Sequence, residues 1–294
     1  MLDLKHIKVD GSEKISLKDY DPGYTCNYKD KKEAEEKLKS DIKKLQDLQY
    51  RLYAENKYAL LMVLQAADAA GKDGAIRHVM SGINPQGCQV TAFKQPSAEE
   101  LEHDFLWRCN KALPERGKIG VFNRSHYEEV LVTRVHPEII LNQNIPGIDS
   151  LDKVDHDFWK SRYRRINNFE EHLHASGTVI VKFFLHLSKD EQKERFLSRI
   201  EDTDKNWKFS ASDIKERAYW DDYIKAFEEM INHTSTKHAP WYIIPADKKW
   251  FSRTAIGDIL VRTIKDLDPQ IPKMDPKEKD ALLAAREKLA HGEA

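Results

Sequence analysis

Residues 60–74, Leu-Leu-Met-Val-Leu-Gln-Ala-Ala-Asp-Ala-Ala-Gly-Lys-Asp-Gly, constrain the fold more than any other stretch. A short apolar run predicts a buried strand. Small residues, an acid and Gly71-Lys72 follow at once, and Ile76, Val79 and Met80 then recur at helical spacing. Strand, tight small-residue turn, lysine and helix form the layout of a phosphate-binding loop. Small side chains at Ala69, Ala70, Gly71 and Gly74 let backbone N–H groups face an anion. The helix N-terminus adds a positive dipole end and Lys72 a full charge. The first glycine of the usual pattern is replaced by Ala66, and its magnesium-binding Ser/Thr by Asp73. Asp68 would repel phosphates unless a cation lay between them. It therefore reads either as a magnesium ligand inside the loop or as a turn or N-cap acid.

The rest of the chain alternates strand and helix. Strands are expected at 60–65, 88–94, 119–123, 178–187 and 241–245, with helices at 31–56, 97–113, 125–135, 155–174, 188–200, 212–232 and 252–267. Ser97 with Glu100, and Ser188 with Glu191, have capping-box spacing. Alternation of this kind predicts an α/β fold with a five-stranded parallel sheet covered on both faces. Residues 1–30 read as an extended arm, 31–270 as one domain with a mobile lid around 195–215, and 271–294 as a charged helical tail.

The charged fraction is 33% yet the net charge is only −1, so nothing global argues for nucleic acid, and any anion site must come from local clustering. Cys26, Cys88 and Cys109 have no metal-ligand spacing and read as reduced thiols. The N-terminus lacks a signal-peptide pattern, and no apolar run is long enough for a bilayer, so a cytoplasmic protein without a membrane partner is expected. The long amphipathic helices at 31–56 and 155–174 suggest a homo-oligomer, a dimer or tetramer.

A second constellation closes the third expected strand, Val-Phe-Asn-Arg-Ser-His-Tyr-Glu-Glu at 121–129. Ligands collect at the carboxyl ends of parallel strands, which brings Asn123 and Arg124 to the loop. Arg124 can grip phosphate in a bidentate way or pair with Glu128 or Glu129. Asn123 is an amide where an acid usually helps to hold magnesium.

Five segments now stand in a recognisable order: Asp-Ala-Ala-Gly-Lys-Asp-Gly (68–74), Gly-Ile-Asn-Pro-Gln-Gly (82–87), Phe-Lys-Gln-Pro (93–96), His-Asp-Phe-Leu-Trp-Arg (103–108) and Phe-Asn-Arg-Ser-His-Tyr (122–127). With Asn-Trp-Lys-Phe-Ser (206–210), the chain resembles the polyphosphate kinase 2 family over about 24–267. The resemblance implies a thymidylate-kinase-like phosphate-loop kinase fold with a helical lid. It implies magnesium-dependent, reversible transfer between inorganic polyphosphate and a nucleotide. Asp68, Lys72 and Arg124 would be the catalytic residues, Asp68 and Asn123 the metal ligands, and Lys94 a phosphate-facing lysine. Lys205 and Lys208 would belong to the lid. Arg77, Asn84, Asp73, Tyr127 and Glu128 complete the expected phosphate and nucleotide contacts. Asn123, His126 and Glu128 stand where many members have Asp, Trp and Asn, a combination resembling the subgroup that accepts both AMP and ADP. Adenine nucleotides are the expected acceptors, with guanine left open. Arg195 and Arg199 are further lid cations; Arg108 and Arg134 are candidates for a polyphosphate path. The competing readings are an ATP-dependent nucleoside monophosphate kinase and a nucleotide- or anion-binding protein without turnover.

Overall fold

A computed structural model describes residues 2–204, 206 and 210–292 of the chain. Its strands are β1 (Lys8–Val9), β2 (Ala59–Ala66), β3 (Cys88–Ala92), β4 (Ile119–Asn123), β5 (Thr178–His186) and β6 (Trp241–Pro245). They form one sheet in the order β1-β6-β5-β2-β4-β3. All neighbours are parallel except β1, which pairs antiparallel with β6, Lys8 opposite Tyr242. The sheet therefore has six strands, not the expected five. The extra one is only two residues long, too short to show a period of two, and it comes from the segment expected to be an arm. Ile7 and Leu17 of that segment are buried against the body.

The helices are α1 (Lys31–Glu55), α2 (Lys72–Val79), α3 (Ala98–Leu101), α4 (Trp107–Lys111), α5 (Val132–Val135), α6 (His156–Ala175), α7 (Lys189–Glu201), α8 (Ala211–Arg217), α9 (Trp220–Thr234), α10 (Lys249–Asp266) and α11 (Pro276–His291). Among the described residues, no helix is long and apolar enough to cross a membrane.

All eight residues of β2 are buried, as a central parallel strand requires. Alternation splits them between two cores. Leu60, Met62 and Leu64 pack with Leu38, Leu45, Val79, Ile256 and Leu260 beneath α1, α2 and α10. Leu61 and Val63 pack with Ile166, Phe227 and Met230 beneath α6 and α9. Helix α1 starts at Asp30, whose carboxylate accepts the N–H of Glu33 at 2.9 Å, and stops at Asn56 in the left-handed region. It lies close on α10 because Gly257 has no side chain there; a Cβ would come within 3.0 Å of Leu38.

Three expected helices are broken. Between α3 and α4 the carboxylate of Asp104 accepts the N–H of Leu106 at 2.9 Å and turns the chain. The 125–135 segment starts as a 3-10 helix, His126–Val130, capped by Ser125, before α5. The 212–232 segment divides into α8 and α9 at Ala218–Tyr219. The capping box at Ser97 and Glu100 is present.

Candidate active site

The phosphate loop joins the carboxyl end of β2 to α2. Ala69 sits at φ 64° and Gly71 at φ 103°, so the loop curls back before Lys72 opens the helix. A non-glycine residue in the left-handed region is a local cost that surrounding contacts must hold in place. Here α7 holds it. Arg195, buried, donates from Nη1 to the carbonyls of Ala69 (3.0 Å) and Ala70 (2.9 Å), and from Nη2 to those of Ala246 (2.6 Å) and Asp247 (3.1 Å). Its Nε donates to Glu191 at 2.8 Å. Arg195 is thus a clamp on the loop rather than a lid cation. The planar fork of a guanidinium suits four acceptors in a way that an ammonium does not.

Lys72 is buried, and its Nζ donates to the carbonyls of Ala66 (3.0 Å) and Ala67 (3.4 Å). Burial first, and then the neighbouring Arg124 charge, pull its pKa down from 10.5 to about 8. Arg124, at the end of β4, also lies in the left-handed region at φ 64°. Its Nη2 pairs with Asp68 at 2.8 Å and its Nη1 with Glu128 at 3.3 Å. Burial works against the Arg124 charge, but the carboxylates of Glu128 and Asp68 outweigh it and hold the guanidinium above its ordinary value. For Glu128 burial wins over Arg124 and Lys72, and its carboxyl is raised. Asn123 donates its amide to Asp73 at 2.7 Å.

These groups border two cavities. The larger, about 1110 Å³, is lined by the loop residues Asp68 to Gly74, by Lys94, Asn123 and Arg124, and by Arg195, Arg199, Lys249 and Arg253. Burial and then Arg195 lower the pKa of Lys249; burial and then Arg77 lower that of Arg253. Cations so crowded suit a polyanion. The smaller cavity, about 60 Å³, lies across Asp68, Arg124 and Glu128 and runs to an apolar end at Leu131, Val132, Trp220, Tyr223 and Phe227. Asp213, Glu216 and Arg217 of α8 line it as well.

Some expected contacts lie elsewhere. The Tyr127 side chain is fully buried, its hydroxyl donating to Glu170 at 2.6 Å and accepting from Lys182 at 2.9 Å, so it cannot reach a nucleotide. Asn84 caps the turn at Pro85–Gly87, accepting the N–H of Gln86 at 3.0 Å, and does not line either cavity. Arg77 is exposed and outside the cavity linings, though its charge is felt at Arg253. Arg108 is buried and donates to the carbonyl of Lys94 at 2.8 Å, while Arg134 pairs with Glu229 at 3.0 Å; neither lines the large cleft. Lys205 and Lys208 fall outside the described residues. Conversely, Lys249 and Arg253 of α10 escaped the sequence reading because single charges in an amphipathic helix give no signal.

Among the described residues, no group of three or more His, Cys, Asp or Glu is placed to hold a metal. Magnesium commonly takes one or two carboxylates and completes its shell with water and substrate phosphate. Asp68 and Asp73, both on the cleft wall, fit that donor set. Asn123 donates its NH₂ to Asp73 at 2.7 Å, which orients that carboxylate.

A phosphate loop at the carboxyl end of the central strand, facing a cationic cleft, defines a phosphoryl-transfer protein of the phosphate-loop class. Residues 28–272 match the family model described as Polyphosphate kinase 2. The chain is 51% identical to an ADP-polyphosphate phosphotransferase of Rhodopseudomonas palustris, over 97% of this chain and 98% of that one. It is 42% identical to an AMP/ADP-polyphosphate phosphotransferase of Meiothermus ruber, over 92% and 96%. The crystal structure of Polyphosphate Kinase 2 from Arthrobacter aurescens superposes with a TM-score of 0.85 at 40% identity, covering 96% of both chains. The chain belongs to the polyphosphate kinase 2 family and is an enzyme of that type.

Proposed function

We propose that the enzyme transfers the terminal phosphoryl group of inorganic polyphosphate to ADP and AMP, giving ATP and ADP, reversibly and with magnesium. The observation that carries this is the Asp68–Arg124 pair, which stands between a cationic cleft suited to a polyanion and a smaller, partly apolar cavity of about 60 Å³ that must widen to admit a nucleoside. An acceptor phosphate oxygen attacks the terminal phosphorus, and the bridging P–O bond breaks. The acceptor is already ionised, so no protein nucleophile is required; positioning and charge neutralisation carry the rate. Lys72, Arg124 and the first N–H groups of α2 hold the transferred group. Asp68 and Asp73 would hold magnesium, whose contribution when bound is to neutralise charge on the phosphoryl oxygens. Arg199, Lys249 and Arg253 guide the rest of the polyphosphate.

The names of two relatives bear on the acceptor range: the one from Rhodopseudomonas palustris names ADP, the one from Meiothermus ruber both AMP and ADP. Asn123 and Glu128 favour the broader range. Helix α8 (Ala211–Arg217) overlaps the end of the proposed lid, and closing it over the small cavity excludes water. We further place the enzyme in the cytoplasm as a homo-oligomer; a monomer mass by light scattering would contradict the second point. An ATP-dependent nucleoside monophosphate kinase is disfavoured by Asp73 in the Ser/Thr position and by a carboxylate within the loop. Asp68→Asn separates an enzyme from a binding protein. The enzyme loses turnover, whereas a binding protein keeps or gains affinity for triphosphate.

A further inference from the structure

Helix α7 presents two side chains one turn apart to three successive carbonyls of the phosphate loop. Arg195 holds those of Ala69 and Ala70, and Gln192 holds that of Asp68, its Nε2 donating at 3.0 Å. The two anchors differ in what stands behind them. Arg195 is tied to the carbonyls of Ala246 and Asp247 at the end of β6, and so to the fixed sheet. Gln192 is tied to α8. Its Oε1 accepts from Arg217 Nη1 at 2.7 Å, and the same nitrogen donates to the carbonyl of Lys189 at 2.8 Å. Arg217 is the last residue of α8 and lies over the ring of Trp220, 6.0 Å from its centroid. The neighbouring Glu216 latches α8 on its other side, accepting from the Tyr223 hydroxyl at 2.7 Å and lying 3.0 Å from His136 Nε2.

We propose that Gln192 is a positioning residue that couples α8 to the phosphate loop, so that Asp68 is set for transfer only while α8 covers the acceptor cavity. This rests on the assignment of α8 as a lid over that cavity. The amide is 3% exposed and both of its ends are satisfied. When Arg217 leaves with α8, Oε1 loses its donor and faces the opened cavity, so nothing on the α8 side holds the Gln192 rotamer. The N–H on the Asp68 carbonyl is then lost with it. Asp68 directly precedes Ala69, whose backbone is held at φ 64°, so losing the N–H on the Asp68 carbonyl removes one of the contacts that hold the loop where it is strained. Coupling in this sense keeps polyphosphate from donating to water before a nucleotide is enclosed. Donation to water breaks the same bridging P–O bond, joins the water oxygen to phosphorus and releases a proton. The products are orthophosphate and a chain one phosphate shorter.

The test uses the full-length enzyme with magnesium, long-chain polyphosphate and ADP, reading ATP and orthophosphate from the same reaction. Gln192→Glu keeps an acceptor for Arg217 and removes the donor to Asp68; Arg217→Gln breaks the other end. Each is expected to raise the ratio of orthophosphate to ATP about tenfold and to lower kcat/KM for ADP by a similar factor, with KM for polyphosphate within about twofold. The double variant is expected to match the worse single variant, because both break one chain of contacts. ADP affinity by calorimetry without polyphosphate should follow the same pattern. Rates that fall with an unchanged ratio, or losses that multiply in the double variant, overturn the proposal. If Gln192→Glu does not fold, Arg217→Gln on the partly exposed α8 decides by the same ratio. If the wild type makes no ATP from polyphosphate, the proposed reaction fails. The calorimetric cycle then decides the coupling alone, multiplicative losses of ADP affinity overturning it.

Discussion

Lys72 gives a pH dependence whose sign and size follow from its surroundings. Its ammonium is buried and faces the Arg124 charge, and these outweigh the carboxylates of Asp68, Glu128 and Asp73 to bring the pKa from 10.5 to about 8. Phosphate binding needs the charged form, so kcat/KM for polyphosphate, which reports the free enzyme, should fall as pH rises through that value. One unit above it about one-tenth of the molecules keep the charge, an approximately tenfold loss equivalent to about 1.4 kcal/mol of transition-state binding. Stability moves the other way. Between about 8 and 10.5 the unfolded chain holds this proton and the folded one does not, so the Lys72 contribution to stability rises with pH there. Lost activity in this window therefore does not report unfolding. The assay is initial ATP formation at polyphosphate well below KM, at fixed ionic strength, from pH 6.5 to about 9.5. Lys72→Arg should give a lower plateau without the inflection, because a guanidinium stays charged. A profile that is flat to the alkaline end, or an inflection that persists in Lys72→Arg, refutes the reasoning.

Two further predictions concern stability. Lys182 of β5 and Glu170 of α6 form a fully buried pair at 2.6 Å, shared with the Tyr127 hydroxyl and the carbonyl of Thr234. Lys182→Met or Glu170→Gln alone should cost about 3–5 kcal/mol in urea unfolding, and the double variant less than the sum; single losses below about 1 kcal/mol would contradict the assignment. Gly71→Ala should lower stability by about 1–2 kcal/mol and reduce turnover. The cause is the backbone angle of 103° rather than crowding, since the nearest atom to the new Cβ is Arg195 Nη1 at 3.8 Å. Unchanged melting temperature and kcat would count against a strained loop.

The central strand, the loop and the second constellation were legible because each is a contiguous pattern with its own physical reason. Leu60 to Leu64 is apolar throughout, Gly71-Lys72 follows soon after, and Arg124 lies just past a strand in register with β2. Residues that act across the fold were not legible. Arg195 read as a lid cation and Gln192 gave no signal, and only the approach of α7 to the loop turns the two into anchors. Lys182 breaks an apolar strand, which alone does not say that Glu170, twelve residues earlier, lies opposite it. Tyr127 sits inside the motif at 121–129 but points into the core, because a 3-10 turn directs it to Glu170 while Glu128 faces Arg124. Strand β1 depends wholly on its partner β6.

The central claim is that polyphosphate is the donor and a nucleotide the acceptor. Purified enzyme should be incubated with magnesium and long-chain polyphosphate, with AMP or ADP supplied separately, and the nucleotides resolved by chromatography. ATP from ADP, and ADP followed by ATP from AMP, is the predicted result. No new nucleotide with polyphosphate, together with phosphoryl transfer from ATP to AMP, would contradict it.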